Sequence, residues 1–127
     1  MLGPGWGEAE EWGRWSVGRR ALLGLVIRRG SAAPVDIDLG YRSFIEGGRA
    51  LNVTCRAAGQ VISSWTCTPA EWRGTRPIHI PPEAVNAEGI VNLEFEMSEP
   101  KSPAELGLGQ DTRELGIGIE FIRLAKS

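Results

Sequence analysis

At 127 residues the chain is long enough for one domain with a sizeable core, and 42% hydrophobic against 24% charged residues is the balance of a globular protein. Fourteen Lys and Arg stand against 16 Asp and Glu, a formal charge of −2, which argues against the basic face of a dedicated nucleic-acid binder. No apolar run approaches the roughly 18 residues of a membrane span, and Glu8, Glu10 and Glu11 stand where a secretory signal would have its apolar core. The chain as given reads as cytoplasmic, with a periplasmic placement open if it is a soluble piece of a larger membrane or exported protein.

Residues 1–13 are rich in Gly, Glu and Trp and show no period, and Val17-Gly18-Arg19-Arg20 is turn-like. Residues 21–27 are short, apolar and branched, the composition of a buried strand. Residues 30–34 form a loop. Val35, Ile37 and Leu39 alternate with Asp36 and Asp38, the period of a half-buried strand, which residues 41–45 continue or neighbour. Gly47-Gly48 is a turn. Leu51, Val53 and Cys55 alternate again, Ala58-Gly59-Gln60 reverses the chain, and residues 61–67 return, the clearest hairpin in the sequence. Trp65 shares the parity of Val61, Ser63 and Cys67 and is expected in the core.

Residues 69–75 form a loop around Trp72, and residues 76–80 a strand with Ile78 and Ile80 on one side and His79 on the other. Pro81-Pro82 starts one helical turn at most. Residues 90–97 alternate Val91, Leu93, Phe95 and Met97 against Asn92, Glu94 and Glu96. A long polar connection, residues 98–112, leads to a last strand over 115–124, with Ile117, Ile119 and Phe121 expected on one face and Gly118 and Glu120 on the other. Seven or eight short antiparallel strands with little helix predict an all-β sandwich or jelly roll, one domain over residues 1–127.

Cys55 and Cys67 do not suit a disulfide. With the hairpin tip at Ala58-Gly59, Cys55 falls opposite Ile62 and Cys67 opposite Ala50, about 17 Å apart along the strand, whereas a bridge needs Cα atoms within about 7 Å. Two buried, reduced thiols are expected.

The segments GWGEAEEWGRWSVGRRALL and SPAELGLGQDTRELGIGIEFIRL at the two ends carry a resemblance. Together they resemble a β-sandwich module attached to, or encoded near, bacterial glycosyltransferases and phosphoglycerol transferases of surface polysaccharide assembly. Such modules are similar in outline to carbohydrate-binding jelly rolls. The resemblance implies a non-catalytic accessory domain beside glycan chemistry, with a glycan or such a transferase as partner. There is no room here for a nucleotide-sugar domain.

The candidate site is the cluster Trp6, Glu8, Glu11, Trp12, Arg14 and Trp15, because an indole stacks on the C–H face of a sugar while charged groups clasp its hydroxyls. Asp111 and Arg113 join it if the first and last strands are neighbours. In the competing reading, Trp12 and Trp15 only cover the open end of the sandwich and Arg14 pairs with a carboxylate. Trp72 is a second candidate contact, with Arg76 as its brace. Asp111 and Arg113 also read as an internal salt bridge that pins their loop, where Ser102 and Glu105 have capping-box spacing. Nothing resembles a catalytic constellation: His79 is the single histidine and has no acid motif beside it in the sequence, and two Cys with one His cannot make a tetrahedral zinc site. No metal, cofactor or nucleic-acid partner is expected. The function read from the chain is a non-catalytic carbohydrate-binding accessory domain, and the alternative is a protein-interaction scaffold with no sugar ligand.

Overall fold

The computed structural model describes residues 3–27, 35–45 and 48–124. The expected loop at 30–34, and Gly47 of the Gly47-Gly48 turn, lie outside them. Eight strands are present: β1 (Arg14–Val17), β2 (Arg20–Val26), β3 (Val35–Ser43), β4 (Leu51–Ala57), β5 (Gln60–Cys67), β6 (Arg73–Ile80), β7 (Ile90–Met97) and β8 (Leu115–Leu124). Among the described residues a single 3-10 turn, Pro82–Ala84, breaks the all-β pattern, with proline at its start. Two antiparallel sheets form, ordered β1-β8-β3-β6 and β2-β7-β4-β5.

Period-two alternation explains how the sheets meet. Ile37, Leu39 and Tyr41 of β3, Ile78 and Ile80 of β6, and Ile117 and Ile119 of β8 turn inward from one sheet. Leu51, Val53 and Cys55 of β4, and Val91, Leu93, Phe95 and Met97 of β7, turn inward from the other. Each such large aliphatic or aromatic side chain contributes about 1.5–3 kcal/mol by leaving water. Trp65 is buried as expected, tilted against Tyr41 at 5.5 Å. Arg76 crosses from β6 to β5, donating to the Ser64 carbonyl at 3.2 Å and lying over the Trp65 ring. Arg76 therefore braces Trp65, and not Trp72 as the sequence suggested.

Three other expectations change. The segment over 21–27 is an edge strand, and Leu22 and Val26 are exposed rather than buried. A register shift in the β4–β5 hairpin sets Cys55 opposite Ser63 and Cys67 opposite Leu51, and it leaves Val61 exposed, off the Trp65 face. Both cysteines are buried free thiols, and burial pushes Cys55 up to about 12. β6 begins at Arg73, so much of the supposed Trp72 loop is strand.

β1 and β2 are the edges of their sheets on one side of the sandwich. Residues 3–7 close that side by pairing with both in turn. Gly3 donates to the Leu22 carbonyl and Leu22 to that of Pro4, then Val17 donates to Gly5 and Gly7 to Trp15, all at 2.7–2.9 Å.

Candidate functional site

The N-terminal segment reaches the sandwich edge at Trp6. Its indole N–H donates to the Leu22 carbonyl at 2.7 Å, and its ring meets Phe95 edge-on at 6.2 Å. Trp6 is thereby pinned to the core on one flank. Beyond it the chain runs through Glu8 and Ala9 into a tight turn closed by paired backbone bonds between Glu10 and Gly13. Gly13, at φ 151°, passes against the Ile119 carbonyl of β8, where any Cβ would collide with backbone. This close approach feeds the chain into β1, which pairs with β8 through Arg14↔Ile119 and Trp15↔Gly118.

An open groove of ≈ 740 Å³ results, lined by Trp6, Gly7, Glu8, Ala9, Glu10, Arg14, Val17 and Arg113. Arg14 donates to the Gly7 carbonyl at 3.3 Å, a backbone partner in place of the carboxylate considered above. Arg113 follows the 98–112 connection just before β8 and is held by Asp111, with Nη2 to Oδ2 at 2.7 Å and Nε to Oδ1 at 3.0 Å. The same carboxylate accepts the Arg113 backbone N–H at 3.0 Å. These bonds hold Asp111 down to about 2 and push Arg113 above its ordinary value, with Glu10 and Glu8 adding to the latter. The connection itself is set by reciprocal bonds between Ser102 and Glu105, which form a capping box around turns rather than a helix.

The structure thus brings Trp6, Glu8, Arg14 and Arg113 together, with Asp111 behind Arg113, and adds Glu10. The strand that carries the site beside β8 is β1, which the sequence did not show, and not the strand at 21–27. Trp12 and Trp15 stand apart from the groove. Trp12 lies over Gly118 on the outer face of the sheet, 5.0 Å from Trp15 edge-to-face, with the Arg42 guanidinium 3.9 Å from its ring centre. Trp15 in turn meets Phe44. Glu11 is exposed at the turn before β1. Trp72 is exposed beside β3, its carbonyl accepting both the Ser43 N–H and hydroxyl.

Sequence reasoning missed a second constellation, on the outer face of the β1-β8-β3-β6 sheet. The β3–β8 register slips by one residue between Gly40 and Tyr41, so that Gly40 faces Phe121 while Tyr41 faces Ile119. Glu120 is the extra residue. Its bulge turns both Glu120 and Phe121 outward, which overturns the expectation that Phe121 shares the inner face with Ile117 and Ile119. Phe121 lies on Gly40, whose missing side chain makes the room. Glu120 accepts from Arg42 at 2.9 Å and from Arg73 at 2.8 Å. Partial burial would raise Glu120, but the two guanidiniums outweigh it and the carboxyl sits below its ordinary value. Arg123 lies 5.0 Å over Phe121 and 3.5 Å from Asp38. His79 faces solvent as expected, but it pairs with Asp36 at 2.8 Å, an acid that strand pairing supplies and sequence adjacency does not. Among the described residues no group of three or more His, Cys, Asp and Glu is placed to hold a metal ion.

No family model and no curated protein matches the chain. Solved structures do. A carbohydrate-binding module of family CBM36, in complex with calcium and xylotriose, superposes with a TM-score of 0.52 at 11% identity, covering 98% of this chain and 92% of that one. A CBM4 structure gives 0.48 at 14% identity over 98% of this chain and 76% of the other. The first likeness establishes the class of fold, a β-sandwich of the kind found in carbohydrate-binding modules.

Proposed function

We propose that this domain is a non-catalytic saccharide-binding module whose ligand lies in the edge groove. The observation that carries the reading is the meeting of an indole, two carboxylates and two guanidiniums in one open groove, at Trp6, Glu8, Glu10, Arg14 and Arg113. A sugar hydroxyl both donates and accepts, so carboxylates take its proton and guanidiniums give theirs, while the indole flank takes an apolar C–H face. Asp111 positions Arg113 and does not itself meet the ligand. The sandwich likeness to a module solved with xylotriose supports the class of ligand. The motifs at the two chain ends support a finer reading, an accessory role beside a bacterial glycosyltransferase or phosphoglycerol transferase.

Titration calorimetry with neutral xylo-, cello- and manno-oligosaccharides tests the groove. Glu10→Gln with Arg14→Gln is expected to weaken binding roughly tenfold or more, since each removes a hydrogen bond to a charged group, and to leave the melting temperature nearly unchanged. Binding that survives both changes, or silence across the panel, would reject the groove as the site.

One observation favours a protein-interaction domain instead. Where β8 ends, Leu25, Val26, Ile27, Val35, Ile122 and Leu124 line an apolar groove of ≈ 390 Å³, with Val26 and Leu124 largely exposed. That reading requires a complex with a transferase that Val26→Asp disrupts in size-exclusion chromatography.

A further inference from the structure

The outer face of the β1-β8-β3-β6 sheet has a construction that packing alone does not ask for. Strand alternation would send Phe121 into the core, where an aromatic ring is stabilised by leaving water. The one-residue bulge instead lays it on the surface over a glycine, 38% exposed, beside a bridged pair of arginines. Bulges that re-aim a side chain recur at binding sites.

Arg42 and Arg73 pair with Glu120 and Arg123 pairs with Asp38, so three guanidiniums share two carboxylates in the contacts around the ring. The neighbouring Asp36 is turned to His79. Arg42 and Arg73 share the single Glu120 carboxylate. Arg42 meets it through Nε, and among the described residues its two Nη groups have no acceptor. Arg42 cannot swing away, because Trp12 stacks on it at 3.9 Å. Arg73 binds Glu120 through Nε and Nη2, which leaves Nη1 directed elsewhere, and its side chain is 54% exposed. Spare guanidinium N–H groups, held in place by a partly buried carboxylate and a stacked indole, form a fork for a second carboxylate.

We propose that this face is a second saccharide surface, separate from the edge groove, selective for a sugar that carries a carboxylate. The C–H face of the pyranose displaces the exposed Arg123 guanidinium from over Phe121, and the uronate carboxylate takes the free N–H groups of Arg73 and Arg42. Glu120 and Trp12 position the fork without touching ligand. The saccharide part of the proposal rests on the reading of the domain as a sugar binder. The carboxylate part rests on the charge and geometry of this face.

The test compares a galacturonate oligosaccharide with its fully methyl-esterified form, which keeps the ring and removes the charge, by titration calorimetry on the full chain. The acid is expected to bind roughly tenfold or more tightly than the ester, and more weakly at higher salt. Arg73→Gln is expected to abolish that preference, and Phe121→Leu, which keeps the apolar cover over Gly40, to weaken both forms. Equal binding of acid and ester, or a preference that survives Arg73→Gln, overturns the proposal. If neutral sugars still bind and respond to the groove variants, the sugar-binding reading stands while this one falls. If no saccharide of either kind binds, both fall.

Discussion

Gly13 and Gly40 both sit where a methyl group has nowhere to go, but different neighbours stand in the way. At Gly13 the obstacle is the Ile119 carbonyl, part of the β8 backbone, and the φ of 151° disfavours a side chain as well. At Gly40 it is the ring of Phe121, a side chain on the outer surface. A ring can rotate away and a strand backbone cannot. Gly13→Ala is therefore expected to destabilise by about 3 kcal/mol or more, the upper range for overpacking, and Gly40→Ala by about 1 kcal/mol with Phe121 displaced. Urea denaturation of the two variants would check the order, and equal losses would contradict it. The second variant also links stability to binding, since it moves the ring assigned to the uronate face and leaves the groove alone.

Among the elements, the 98–112 connection shows how a long loop is fixed without regular structure. Ser102 and Glu105 bond reciprocally at one end, and Asp111 clasps Arg113 at the other. Asp111 has a folded value of about 2, below its ordinary 3.8, so its contribution is present above pH 3.8 and is lost as the pH falls through about 2. Asp111→Asn should accordingly lower the melting temperature at neutral pH, with the gap to the unmodified protein closing between pH 4 and 2. Melting curves over that window test it, and a gap that stays constant would show that Asp111 adds nothing through its charge. The residue types of this loop were readable from spacing alone, as were β3, β4, β7 and β8, because each buries one face and alternates. β1 was not readable. Only four residues long, it lies at an edge and has its backbone satisfied by residues 5 and 7, so no alternating burial marks it. The β8 bulge was equally hidden, since a single inserted residue reverses parity without changing composition. That is why Phe121 was placed inside, and why Arg42, Glu120 and Arg73, spread over 79 positions from 42 to 120, did not read as a cluster. Trp6, Arg14, Asp111 and Arg113 were legible as chemistry. Their separation from Trp12 and Trp15 was not, because it depends on which way the 10–13 turn leaves the edge.

For the whole molecule, the pairing of β1 with β8 means that the sheet nearest the candidate groove joins the two ends of the described chain. β8 is also the central partner of β3. Contacts between residues so distant in sequence slow folding, because loop-closure entropy is lost before the contacts form. Refolding in milliseconds to seconds is expected, and a chain ending at residue 114 should show no cooperative melting transition by circular dichroism. A folded truncation would mean that the β2-β7-β4-β5 sheet holds its own core.

Proline at position 77 has a bearing on self-association. β6 is an edge strand, and Pro77 pairs with Asp38 of β3 there. A proline lacks the N–H that an incoming strand would need and is tolerated where its nitrogen points to the open side. That interrupts the template along β6, just as residues 3–7 occupy the margins of β1 and β2. Among the described residues β5 is the margin with neither device, and it carries exposed Val61 on its way to Trp65. Fibril-like stacking of this domain at high concentration would therefore start along β5, and a lysine at Thr66 would be the single change best placed to stop it.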